Sequence, residues 1–127
     1  MKFKMSYSTY LLLWELQNGE TIKIGKLGKS YFPAGFYFYA GKALRGIEAR
    51  IARHIYPRKK RRWHIDYFST RAVPVGMKLY SEKKYGECEL AQKIQLQGGE
   101  IILNGFGSSD CRCPSHFYYF KNYPNWP

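Results

Sequence analysis

Arg50 and His54 lie four residues apart on one helical stretch, shortly after a strand-like segment that ends in Tyr39 and Gly41 (FYFYAGKALRGIEARIARH, residues 36–54). At helical spacing Ile47, Ile51 and Ile55 form an apolar stripe, and Arg50 and His54 stack along one edge of it. An arginine at that boundary can project across the sheet edge toward a phosphate while packing holds its stem. The plainer alternative is a stem that covers apolar surface and nothing more. Arg45, Glu48 and Arg53 fall nearer solvent. Glycine at position 41 permits a tight turn and a close neighbour, and the helix start beyond it favours an anion. Tyr39 and Arg50 are expected to face one cleft, with an ordinary half-buried sheet tyrosine as the alternative.

A second helical stretch, YGECELAQKIQLQ, carries Glu87 in line with Leu90, Ala91 and Ile94, with Cys88 beside the stripe. A carboxylate at the head of a buried stripe needs a partner or a metal, unless it only complements the helix dipole. Its hard oxygens beside a basic cleft suit Mg²⁺. Downstream, DCRCPSH offers Asp110, Cys111, Cys113 and His116. A Cys-x-Cys with a nearby histidine can bind zinc, and Cys88 could join it. The spacing is not a standard zinc pattern, so buried free cysteines are the expected state. WHIDYF adds His64 and Asp66, which would share a face on a strand but not on a helix.

These side chains need elements to hold them. The chain has 127 residues, which suits a single domain over 1–127. Residues 8–16 alternate as a strand, with Tyr10, Leu12, Trp14 and Leu16 on one face. Asn18-Gly19 is a hairpin signal, leading into a second strand at 21–24. Residues 25–35 hold three glycines and a proline and read as a loop. A third strand covers 36–41, with Tyr37 and Tyr39 on one face and Phe36 and Phe38 on the other. A helix over 44–56, closed by Pro57, follows. Residues 63–68 favour helix over strand, 72–80 read as a strand broken by Pro74 and Gly76, and 85–97 as a helix. Strands are expected at 100–106 and 116–120. This mixed order predicts an α+β fold, with helices packed around a small central antiparallel sheet.

The formal net charge is +12, from 21 Lys and Arg against 9 Asp and Glu. Such an excess repels itself unless a polyanion compensates it, and nucleic acid ranks ahead of an anionic membrane. A merely basic soluble protein is the plain alternative. The run PRKKRR presents Lys59, Lys60, Arg61 and Arg62 as phosphate contacts, with Lys42 and Arg53 as further DNA contacts. The apolar run at 11–14 is too short for a signal peptide or a membrane span, so an intracellular, cytoplasmic protein is expected. Three cysteines argue against a disulfide framework.

Taken together, the motifs resemble the GIY-YIG nuclease superfamily. STY at 8–10 stands for the first tyrosine motif, YAG at 39–41 for the second, RIARH supplies Arg50 and His54, and ECELAQKI supplies Glu87. GKLG, FPAGFYFYAGKA, RRWHIDYF, ECELA and FGSSDCRCPSHFYYF are similar to one branch, the Uri-like proteins or domain of unknown function 123. The resemblance implies a GIY-YIG nuclease-like fold and metal-dependent hydrolysis of DNA phosphodiester bonds. It implies a DNA repair setting, with a repair glycosylase as a partner; because nothing in the sequence evidently reads base edges, structure selectivity over sequence preference is expected. In that reading Glu87 holds Mg²⁺ or Mn²⁺, and Arg50 stabilises the phosphoryl oxygens. Tyr10, with Tyr39, activates or orients water, provided a cation lowers its pKa, and His54 orients a tyrosine or relays a proton. His64, Asp66, Asp110 and His116 are additional candidates. The alternatives are a DNA- or RNA-binding module of the same fold without cleavage, and an RNA binder that stacks bases on exposed sheet aromatics. The last predicts no convergence of Tyr39, Arg50 and Glu87.

Overall fold

The run TYLLLWEL places apolar side chains on both faces of an extended segment, so a strand made from it must be covered on both sides. In the computed structural model, which describes residues 7–56 and 59–127, this strand is central. In chain order the elements are β1 (Thr9–Leu16), β2 (Glu20–Lys23), a short 3-10 turn (Gly25–Leu27), β3 (Lys29–Phe32), β4 (Gly35–Lys42), α1 (Ile47–Ile55), α2 (His64–Ser69), β5 (Val73–Tyr80), α3 (Glu87–Leu96) and β6 (Phe117–Phe120). The main sheet is antiparallel in the order β5-β1-β4-β6. The expected α+β class is what forms.

The two faces of this sheet bury different cores. Tyr10, Leu12, Trp14, Tyr37 and Tyr39 pack with Ile47 and Ile51 of α1 and Ile65 and Phe68 of α2. Leu11, Leu13, Phe38 and Ala40 pack beneath Leu90, Ala91 and Ile94 of α3. The alternation read for both long strands therefore holds. Each fully buried Leu, Ile or Phe contributes about 1.5–3 kcal/mol by leaving water, so the faces hold the helices in place.

Several elements differ from expectation. The Asn18-Gly19 turn does not pair β1 with β2, because Leu16 pairs with Gly35 and β4 takes that edge. β2 pairs instead with β3, in a separate ribbon. β3 lies within the expected loop, where Gly28, Pro33 and Gly35 obscure a four-residue strand that buries Phe32. Gly46 sits at φ 62, in the left-handed region, and α1 starts only after it. Leu44 is thus outside the helix and exposed, and Ile55, expected in the buried stripe, is 43% exposed. Closure of this helix by Pro57 lies outside the described residues. Residues 101–106 form turns, and only Glu100 bridges to Tyr119. Pro74 is accommodated because β5 is an edge strand, with a bulge opposite Leu13 and Trp14.

Candidate functional site

The ends of β1 and β4, the helix α1, the start of α3 and the segment after Phe106 enclose a cleft of about 690 Å³. Tyr10, Tyr39, Arg50, His54 and Glu87 all line it. The sheet register brings the tyrosines there: Tyr10 pairs with Gly41, and Leu12 with Tyr39. A methyl group on Gly41 would lie 2.3 Å from Cζ of Tyr10. The glycine of YAG is therefore the space occupied by the Tyr10 ring, and its role is close approach rather than an unusual φ.

Tyr10 and His54 form one buried pair, with the phenol oxygen 2.7 Å from Nε2. His54 is 1% exposed. Burial, followed by the nearby cations, brings its pKa down to about 3 despite Asp66, so the ring is neutral at ordinary pH. Its Nδ1 has no hydrogen-bond partner among the described residues. Burial raises the Tyr10 pKa to about 12, although the adjacent Arg50 guanidinium pulls it down. Tyr39 is also held well above the ordinary phenol value by burial. The expected lowering of the Tyr10 pKa by a neighbouring cation does not occur in the resting site: the cation is present, and desolvation outweighs it.

The arginines divide between the cleft and the scaffold. Arg50 Nη1 donates to the Lys42 carbonyl at 3.1 Å, and its guanidinium lies 4.6 Å from the centre of the Trp63 ring. Arg53 was expected at a nucleic-acid surface. It instead grips buried Asp66 with both Nη atoms, at 3.0 and 3.1 Å, and donates to the Lys60 carbonyl. Asp66 also accepts from the backbone N–H groups of Arg62 and Trp63. Burial would raise the Asp66 pKa, but these donors together hold it below the usual carboxylate range. Asp66 thus caps α2 and ties it to α1, and it does not line the cleft. Because residues 64–69 are helical, it also does not pair with His64. His64 does line the cleft, where its Nδ1 accepts from the Gly107 N–H at 2.9 Å. Lys59 donates to the carbonyls of Arg53 and His54 at the end of α1, a helix-terminal role rather than a free phosphate contact. Lys60, Arg61 and Arg62 are exposed. Lys42 is partly exposed and lies 3.4 Å from Glu82, a contact worth little at a surface.

Glu87 opens α3 and reaches the cleft half-buried. Burial raises its pKa and Asp110 adds to the rise, while Lys42 and Arg50 oppose it. Its Oε2 lies 3.6 Å from Nδ1 of His116. Burial also lowers the His116 pKa, so this is a polar contact to a neutral ring and not an ion pair. On the other edge of that ring, Nε2 is 3.6 Å from Cys88 Sγ and 3.4 Å from Cys111 Sγ. The ligand atoms of Cys88, Cys111, Cys113 and His116 all lie within 4.8 Å of one another. The cysteines are free, as expected, but they are clustered and half-buried rather than scattered through the core. Thiolate and imidazole donors suit a zinc-like ion better than Mg²⁺.

A protein family described as Domain of unknown function DUF123 matches residues 9–126. The chain belongs to the DUF123 family. No curated protein and no solved structure matches it. The DUF123 match spans both walls of the cleft, from Tyr10 to His116. No helix among its described residues is long and apolar enough to cross a membrane.

The oxygen donors of this DUF123 cleft suit a hard divalent ion. Glu87 is half-buried and has no cationic side chain at hydrogen-bond distance among the described residues, and Asp110 lines the same cleft. A cation would relieve both the burial and the repulsion. Mg²⁺ is commonly held by one or two carboxylates, with the substrate phosphate completing its shell. The donor set fits that pattern.

Proposed function

We propose that this chain is a metal-dependent endonuclease of the GIY-YIG type, acting on DNA phosphodiester bonds. The observation that supports it is the meeting of Tyr10, Tyr39, Arg50, His54 and Glu87, from four separate elements, on one cleft. Glu87, with Asp110 near it, would hold Mg²⁺ or Mn²⁺, which supplies Lewis-acid stabilisation of phosphoryl charge when bound. Arg50, fixed by the Lys42 carbonyl and Trp63, presents its remaining N–H groups to the phosphoryl oxygens. The Tyr10 hydroxyl orients the attacking water. Neutral His54 Nε2 accepts from that hydroxyl and holds it in place through the 2.7 Å contact, so orienting the water requires no resident phenolate.

Lys60, Arg61 and Arg62 would contact backbone phosphates and make binding salt-dependent. Contacts of this kind reach the backbone and carry no base information, so we expect a preference for DNA structure over sequence. A DNA repair setting, with a glycosylase as partner, remains the context for this activity.

One observation favours a second reading, a DNA-binding module without cleavage: the buried, protonated Tyr10. The sheet-stacking RNA reading has less support, because Tyr37, Phe38 and Tyr118 are buried under the helices and loops. The deciding experiment is Mg²⁺- and Mn²⁺-dependent cleavage of labelled single-stranded, duplex, flap and branched DNA by wild type and Glu87→Ala. The expected result is cleavage by wild type, with loss of cleavage but retained binding in the variant. Salt-sensitive binding without cleavage by either protein selects the second reading.

A further inference from the structure

We infer that Cys88, Cys111, Cys113 and His116 form a structural zinc site, and that Glu87 is the outer carboxylate that orients its histidine. Zinc bound tetrahedrally, at about 2.3 Å from sulfur and about 2.0–2.1 Å from nitrogen, puts neighbouring S and N ligands roughly 3.6 Å apart. His116 Nε2 lies 3.6 and 3.4 Å from the Cys88 and Cys111 sulfurs, and the whole set falls within 4.8 Å. The four donors fill a tetrahedral shell, which marks a structural site and leaves no open position for substrate. Binding releases the three thiol protons to solvent.

The backbone already shapes this site. His116 N–H donates to the Phe106 carbonyl at 2.8 Å, and Gly105 N–H to the Pro114 carbonyl at 2.7 Å. Cys111 N–H donates to the Ser108 carbonyl. The segment carrying three of the ligands is thus folded back on itself beside Cys88 in α3.

An independent observation comes from the far edge of the imidazole. His116 is 1% exposed, and its Nδ1 has no hydrogen-bond partner among the described residues. A histidine that binds zinc through Nε2 must carry its proton on Nδ1, and that proton is usually taken by a carboxylate. Glu87 Oε2 stands 3.6 Å away, a small closure from a hydrogen bond. One carboxylate oxygen would then be held by the zinc site while the other stays with the cleft. Zinc occupancy would set the direction of Glu87, and this last consequence alone rests on the nuclease reading.

The test uses the full chain, purified anaerobically with reductant, and needs no DNA. Zinc measured by mass spectrometry should reach one ion per chain. The stripped protein should take up one Co²⁺, with the ligand-field and sulfur charge-transfer bands of a tetrahedral thiolate site. Cys113→Ser should lose that stoichiometry, and if it does not fold, the wild-type cobalt titration still decides. Glu87→Gln should keep the site but weaken zinc affinity roughly 10- to 100-fold against a chromophoric chelator. Absence of 1:1 binding by wild type, or a disulfide among these cysteines in the native protein, overturns the site. Unchanged zinc affinity in Glu87→Gln overturns the role of Glu87. A chain that loads zinc but cleaves no DNA refutes the nuclease reading and leaves this inference intact.

Discussion

The two walls of the cleft are built on opposite principles. On the tyrosine wall, Tyr10, Tyr39 and His54 are buried and neutral, and Tyr10 and His54 share one hydrogen bond. That bond and close packing set their positions, down to the missing side chain of Gly41. On the cysteine wall, Glu87 and Asp110 lie beside His116 and three clustered thiols. Desolvation and mutual repulsion raise the pKa values of Glu87, Cys88 and Cys113. One wall is set by folding, and on our inference the other is completed by what it binds. Removing ligands should therefore disturb the second wall, and changing side-chain volume the first.

The largest expected effect is on the cysteine wall. Stripping zinc should lower the melting temperature by about 10 °C or more, since a structural ion contributes several kcal/mol to a domain of this size. Scanning calorimetry with and without chelator measures it, and no shift would mean that this wall too is finished by packing. Next comes Glu87→Ala, expected to lose about 100- to 1000-fold in cleavage rate while DNA binding persists. Single-turnover cleavage beside a binding isotherm separates the two.

On the tyrosine wall, Gly41→Ala drives a methyl group into the Tyr10 ring and should cost about 3 kcal/mol. Urea denaturation reads this directly, and a near-neutral result would show that the wall can relax. An acid effect at His54 is of comparable size. Its pKa is about 6.5 unfolded and about 3 folded, so the unfolded chain binds the extra proton between those values. Stability contributed by the neutral ring is full above pH 6.5 and falls as pH drops toward 3, by up to about 1.4 kcal/mol per pH unit. His64 and His116 are shifted the same way, so the comparison of wild type with His54→Gln isolates the slope. The smallest effect is at the rim: neutralising Lys60, Arg61 or Arg62 should each reduce the salt slope of DNA binding by about one phosphate contact.

The legibility of the site follows the same division. The tyrosine wall rests on short-range patterns: period two in β4, the i, i+4 step from Arg50 to His54, and a glycine next to them in sequence. Those patterns survive in the fold, as does the helix over 64–69 and the two-faced core. The cysteine wall depends on Cys88 meeting residues distant in sequence, and no local period announces that. Arg53 and Asp66 show a related limit. Charge suggested a nucleic-acid contact and a cleft acid, whereas the fold pairs them 13 positions apart. Ile55 fitted the helical stripe, but at the last residue of α1 it is left exposed. β3 was hidden because four residues between glycines and a proline carry too little alternation to outweigh the turn signals.

The central place of β1 has a consequence for how the chain is made. Within this domain β1 is made before both of its sheet partners, and it is apolar on both faces. One edge can be covered once β4 arrives, but the other waits for residues 73–80. Until then an unpaired, oily strand with open N–H and C=O groups is on display. Closure of that long loop should make folding slow, and nascent chains halted before β5 should be the species that aggregate or recruit chaperones.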